Sequence, residues 1–295
     1  MAGTFTEWVR DVLEFAHDEV RSARGRDGIV AFLLEKMAER RIEPGDDLIS
    51  AVMADLYGAL PRQGPGSPSC TRRAFSLLGP LPERPLILDV GCGTGGQTLE
   101  LAKLTPGHIV ALDVFDWALD RLSEQVVARG LTGRVHTTKQ SMDAMDFREE
   151  TFDLIWSEGA LYIMGFENAL KVCQRLLKPG GYLAASELSW LTDDAPREAR
   201  EFFSHEYPEM KTVEDNAQLF SDCGYELLGH FTEPDRVWWD EYYTPMQRLL
   251  PGLRLKYAAV PDALALFDEC DAEMAVHKKY SASYGYEFFV ARRVD

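Results

Sequence analysis

Four glycines crowd the turn Gly91-Cys92-Gly93-Thr94-Gly95-Gly96, directly after the apolar run Leu86-Ile87-Leu88-Asp89-Val90 and before a helical pattern that opens at Gln97-Thr98-Leu99-Glu100-Leu101. That order reads as strand, loop and helix N-terminus. Glycine tolerates positive φ and lets a ligand approach the main chain, while the first turn of the helix offers unpaired N–H groups. The turn is a seat for a small polar ligand. Two acids flank it: Asp89, two residues before the first glycine, and Asp113, at the end of the next apolar segment. Farther on, Glu158, Tyr162, Glu187 and His205 are side chains that can take up a proton if an acceptor molecule must lose one. Their neighbours do not mark any one of them as special. His108 and His136 lie in strand patterns, and His17 and His277 in helical ones.

Gly91, Gly93 and Gly96 also satisfy the G-x-G-x-x-G spacing of dinucleotide-binding folds, so the glycines alone leave a nicotinamide-dependent oxidoreductase of Rossmann type open. The whole segment Leu88-Asp89-Val90-Gly91-Cys92-Gly93-Thr94-Gly95 resembles the first motif of class I S-adenosylmethionine-dependent methyltransferases. Leu176-Leu177-Lys178-Pro179-Gly180-Gly181-Tyr182-Leu183 resembles a late motif of the same family. The similarity is firm over 86–190 and points toward the ubiquinone/menaquinone-biosynthesis type of small-molecule methyltransferase. It implies S-adenosyl-L-methionine as cofactor, with Asp89 toward its ammonium, Asp113 on its ribose hydroxyls, and Val114 and Phe115 against its adenine. Gly91, Cys92, Gly93, Thr94, Gly95 and Ser157 complete that implied site. In Gln140-Ser141-Met142-Asp143-Ala144-Met145-Asp146-Phe147 the match to the family's adenine segment is looser: Ser141 stands where an acid is commonest and Asp146 where proline is, leaving Ser141, Met142 and Asp143 as candidate contacts. The resemblance puts Glu158, Tyr162 and Glu187 on the ligand side as candidate catalytic groups, with Gln63, Trp190 and His205 toward the substrate. No metal is implied, and a non-catalytic S-adenosylmethionine-binding protein is a further alternative.

From Leu86 onward strand and helix patterns alternate, which predicts a doubly wound α/β architecture: strands at His108–Leu112, Arg134–Thr138, Phe152–Ser157 and Tyr182–Ser186, with helices between. Lys178-Pro179-Gly180-Gly181 reads as a break between a helix over Glu167–Leu177 and the fifth strand. A helix over Lys211–Cys223, a sixth strand at Tyr225–Phe231 and a seventh at Tyr286–Arg292 complete seven strands, mostly parallel, as in the Rossmann-like methyltransferase fold; the resemblance places the seventh antiparallel beside the fifth. A helical substrate-side insert is expected at about 234–283, with a helix over Leu249–Tyr280. Its Trp238-Trp239 and Tyr242-Tyr243 are either core or a cage for an amine. Ahead of the 81–295 domain, residues 1–80 read as a helical cap and lid. Stripes at Phe5, Trp8, Val9 and Val12, at Ile29, Phe32 and Leu33, and at Ile49, Val52, Met53 and Leu56 make 1–60 a cap or a homodimerisation element. The Pro/Gly/Ser-rich stretch at 61–69 is a connector or an active-site wall leading to a helix over Thr71–Leu78.

The chain has 295 residues, and 48 Asp+Glu against 31 Lys+Arg give it a formal charge of −17, which argues against nucleic acid as partner. Five cysteines without a Cys-x-x-Cys pair suggest neither a disulfide framework nor a zinc site and fit a cytoplasmic setting. No apolar run approaches membrane-spanning length, and no secretory leader is expected at Met1–Arg10.

Overall fold

The computed structural model describes residues 48–294. The first two stripes of the expected cap lie outside the described residues. The third forms α1, Leu48–Tyr57, whose Val52, Met53, Leu56 and Tyr57 are buried. After the bends of 61–67 comes α2, Pro68–Phe75. It begins three residues earlier than the apolar pattern suggested, because Ser67 caps it, accepting from the Cys70 N–H at 3.2 Å, and Pro68 fits the first helical position.

The sheet has seven strands: β1 Leu86–Val90, β2 His108–Asp113, β3 Val135–Lys139, β4 Phe152–Glu158, β5 Leu177–Trp190, β6 Tyr225–Thr232 and β7 Tyr284–Arg293. Their order is β3-β2-β1-β4-β5-β7-β6, with β1 to β5 parallel and β7 antiparallel to both β5 and β6. Chain order reverses between β1 and β4, so their carboxyl ends frame a crevice. Side chains alternate between two cores: Ile87, Trp156, Ala184 and Phe288 on one face, Leu88, Ile155, Leu183 and Phe289 on the other. Helices α3 Gly96–Leu104, α4 Asp116–Ala128, α5 Phe166–Leu176, α6 Arg197–Glu206 and α7 Val213–Asp222 cover these faces.

Two further departures bear on the expected elements. Lys178-Pro179-Gly180-Gly181 does not separate helix from strand but lies inside β5, where Gly180 takes φ +72° and the β4 register slips between Phe152 and Leu154. The helix expected over Leu249–Tyr280 is two, α8 Thr244–Lys256 and α9 Pro261–Tyr280, parted at 257–260 because Pro261 starts a new helix. Before α8, Arg236–Trp238 form one α turn and Trp239–Tyr243 a π turn.

Candidate active site

A cavity of about 520 Å³ opens at the carboxyl ends of β1, β2 and β4 and runs on beneath α1, α6 and α9. Its first end is built by the glycine turn. Gly91 (φ +69°) and Gly93 (φ +51°) carry the chain through conformations that other residues resist; a Cβ on Gly91 would sit 2.5 Å from the Ala160 Cβ. Asp113 closes the turn from the side. Its Oδ2 accepts the Gly93 N–H at 2.8 Å and its Oδ1 accepts those of Val114 and Phe115 at 2.8 and 3.0 Å. Burial pushes this carboxyl above its ordinary range while the three N–H groups pull it down, and Oδ2 keeps acceptor capacity for a hydroxyl.

Beside it, Val114, Phe115 and Met142 line the wall, as do Trp117 and Gln140, which the motif comparison did not single out. The buried Trp117 Nε1 and Gln140 Oε1 make no hydrogen bond within the protein. An orphaned donor and an orphaned acceptor next to an aromatic wall fit the edge and face of a nucleobase, and Asp113 fits a sugar diol. The residues present therefore suit S-adenosylmethionine.

The segment 61–67 straps this end. Gln63 Oε1 accepts the Thr94 N–H at 2.9 Å and the Thr94 hydroxyl at 3.1 Å, and Gln63 Nε2 donates to the Tyr57 carbonyl at 2.9 Å. Arg62 forms a buried ion pair with Glu158, whose Oε1 also accepts from Thr71 Oγ1 at 2.7 Å and Trp156 Nε1 at 2.9 Å. Burial opposes the Arg62 charge, but Glu158 and the nearby Glu233 outweigh it and raise the guanidinium's pKa. Glu158 thus lines the cavity with both oxygens engaged, an anchor for the strap.

Of the other residues singled out from sequence, Gly91, Cys92, Gly93 and Tyr162 also line the cavity. Thr94, Gly95, Ser141, Asp143 and Ser157 do not. Gly95 packs under Leu122, Ser141 caps the turn Met142–Ala144, and Ser157 Oγ ties β4 to the Val90 carbonyl at 2.9 Å. Asp89 is wholly buried behind Gln97, accepting from Gln97 Nε2 at 3.2 Å and Thr98 Oγ1 at 2.5 Å; burial lifts its pKa to about 7 against those two donors. Gln97, not Asp89, meets the cavity.

Glu187 stands one layer back as well. Tyr207 lines the cavity and donates to Glu187 Oε1 at 2.6 Å, while Oε2 has no partner; burial pushes this carboxyl up to about 8, with the Tyr207 bond opposing. Trp190 and His205 correct the expected substrate side. Trp190 is a core residue, edge-on to Phe203 and Tyr284. His205 is exposed, because α6 and its C-cap turn Phe202, Phe203, Glu206 and Tyr207 to the cavity and leave position 205 on the far face.

The second end was harder to foresee. Met53 and Tyr57 come from α1, Trp238 and Tyr242 from the turns after β6, Leu266, Glu269, Cys270 and Glu273 from one face of α9, and Tyr286 from β7. Trp239 and Tyr243, by contrast, belong to the core behind. The spacing of 266, 269, 270 and 273 is a helical stripe, a signal present in the sequence but indistinguishable there from packing.

Comparison with known proteins agrees with this geometry. Residues 87–181 match the family model described as a methyltransferase domain. The chain carries a class I S-adenosylmethionine-dependent methyltransferase domain. A sterol 24-C-methyltransferase of Neurospora crassa is 31% identical to this chain over 160 residues, covering 51% of this chain and 42% of the relative; the match thus spans under half the relative's length. Two solved structures share the fold. A methyltransferase from Geobacter sulfurreducens in complex with S-adenosyl-L-homocysteine superimposes with a TM-score of 0.70 at 16% identity, over 82% of this chain and 98% of that one. The cyclase SpnF superimposes with a TM-score of 0.66 at 20% identity, over 84% and 93%. Among the described residues no group of three or more His, Cys, Asp or Glu is placed to hold a metal ion, and no helix is long and apolar enough to cross a membrane.

Proposed function

We propose that this chain transfers the methyl group of S-adenosylmethionine to a small-molecule acceptor held in the second end of the cavity. One observation carries the reading: a single cavity joins the glycine turn and Asp113 to a chamber lined by Tyr57, Tyr162, Tyr207, Tyr242 and Tyr286. The bound cofactor supplies an activated methyl on a sulfonium. The protein's task is then alignment and dryness, and orientation alone is worth roughly 7–11 kcal/mol. In this reading Asp113 fixes the nucleoside beside the glycine turn, Gln63 and the Arg62–Glu158 pair close the strap over it, and the tyrosines line the acceptor's berth. Where the acceptor loses a proton, Tyr207 is positioned to pass it to Glu187 once that carboxyl has ionised, near pH 8, since its hydroxyl already bonds it.

Calorimetric titration with S-adenosylmethionine is expected to show micromolar binding, weakened by Asp113→Ala, and a screen of small metabolites is expected to release S-adenosylhomocysteine. Binding of NADH instead would restore the oxidoreductase reading, and cofactor binding without turnover across the screen would make the chain a binding protein. A cytoplasmic setting and the absence of a nucleic-acid partner belong to the same reading, supported by the charge of −17 and five free thiols; sedimentation decides whether a homodimer goes with it.

A further inference from the structure

The family match ends at residue 181, while most of the acceptor chamber is built after it, by Tyr207, Trp238, Tyr242, Glu273 and Tyr286. The rings of the wall pack in pairs. Tyr162 and Tyr207 have centroids 5.5 Å apart and inclined at 58°, Trp238 and Tyr286 lie 5.4 Å apart at 32°, and Tyr242 leans on Tyr243 at 5.1 Å. Tyr243 Oη donates to Glu273 Oε1 at 2.7 Å from behind, which fixes the carboxyl against the chamber. Burial pushes Glu273 up to about 7, Tyr243 opposing and Glu206 adding to it. Among the described residues that line the cavity Arg62 is the one basic side chain, and it is bound to Glu158. An anionic acceptor would find no counter-charge on these walls. A cation would meet aromatic faces and a carboxylate together.

We propose that the acceptor is an apolar molecule bearing an amine nitrogen, seated among these rings and against Glu273. The inference rests on the methyltransferase reading above and narrows it to an acceptor class. The amine enters as its ammonium and gives its proton to the Glu273 carboxylate. Its freed lone pair then forms the N–C bond as the C–S bond breaks, the bonding pair staying on sulfur. A tertiary amine leaves as a quaternary ammonium, whose permanent charge the rings still accommodate.

The test uses the full chain with S-adenosylhomocysteine present and three matched sets of probes. Benzyl-, phenethyl- and octyldimethylamine are compared with the corresponding methyl ethers and carboxylates by calorimetry and thermal shift. At least one amine is expected to bind about tenfold tighter than its ether, with its carboxylate weaker than both. Glu273→Gln is expected to remove most of that preference while leaving S-adenosylhomocysteine affinity unchanged. The wild-type comparison stands even if the variant fails to fold. The proposal is overturned if no amine exceeds its ether, if a carboxylate binds best, or if folded Glu273→Gln keeps the preference. Failure to bind S-adenosylhomocysteine would refute the methyltransferase reading instead, separately from the amine preference.

Discussion

Arg62→Met should cost this protein more stability than its position in a proline-rich connector suggests. The Arg62 and Glu158 side chains are only 6% and 3% exposed, so the pair is a buried one. Removing one partner of a buried ion pair leaves the other charge in a poorly solvating site, at a cost of about 3–5 kcal/mol. Glu158 keeps its bonds from Thr71 and Trp156, which places the loss near the lower end, about 3 kcal/mol. For a chain of this size each kcal/mol shifts the melting temperature by about 2 °C, so a fall of about 6 °C is expected. Urea unfolding of wild type, Arg62→Met, Glu158→Gln and the double variant completes a cycle. The double variant should lose less than the two singles added together, since each single strands the other's polar group. Screening by added salt should leave the loss almost unchanged, as expected for a buried pair. S-adenosylhomocysteine affinity should fall with Arg62→Met, because Gln63 sits on the same strap. A stability within about 0.5 kcal/mol of wild type would show that the pair is solvated and refute the reasoning.

The glycine turn gives a contrast. Gly91→Ala brings a Cβ to 2.5 Å from the short, rigid Ala160 methyl, whereas Gly93→Ala meets the flexible end of Gln63, so Gly91→Ala should be the more destabilising by at least about 1 kcal/mol in urea unfolding. Gly93→Ala should instead act on the ligand, lowering S-adenosylhomocysteine affinity by freeing Gln63 from Thr94. Glu187 makes stability depend on pH. Its carboxyl keeps its proton in the fold up to about 8 but sheds it near 4.5 when exposed, so the folded state binds more protons between those values. The stability it contributes is complete below pH 4.5 and is lost as pH rises to 8. Urea midpoints for Glu187→Gln should show a shallower decline over that window; an equal slope would place the titration elsewhere.

The glycine-turn end of the cavity was legible because its parts are local. Strand, glycine turn and helix are continuous from Leu86 to Leu104, and Asp113 follows at the end of the adjacent strand, so sequence distance mirrors spatial distance. The antiparallel β7 beside β5 was likewise expected, from the resemblance. The residues there that do not reach the cavity are those one layer deep. Asp89 alternates inward on β1, and only side-chain bonds to Gln97 and Thr98 reveal which of them meets the cavity. At the other end, α1, α6, the turns after β6, α9 and β7 each contribute one or a few side chains. No segment carries enough of them to form a motif, and on a helix such as α9 a stripe that faces a chamber has the same period as one that faces a core.

Carboxyls buried without full pairing oppose folding, because a charge or an unbonded acceptor in the interior costs more than an apolar group of the same size. Here they gather at one end of the sheet: Glu187 and Glu287 are directly paired across β5 and β7, each with an unpartnered Oε2, and Glu233 next to them has neither oxygen bonded. The cores flanking the sheet, by contrast, are built of Leu, Ile, Phe and Val, the cheap solution to the same packing problem. Glu187 stands one hydroxyl away from the cavity through Tyr207, and burial raises both it and Glu233. Groups held in such an environment change protonation readily when a cation enters beside them, since each positive charge offsets part of the desolvation that keeps the proton on. The stability given up at this edge of the sheet is therefore concentrated one layer behind the cavity wall, with Tyr207 between Glu187 and the cavity.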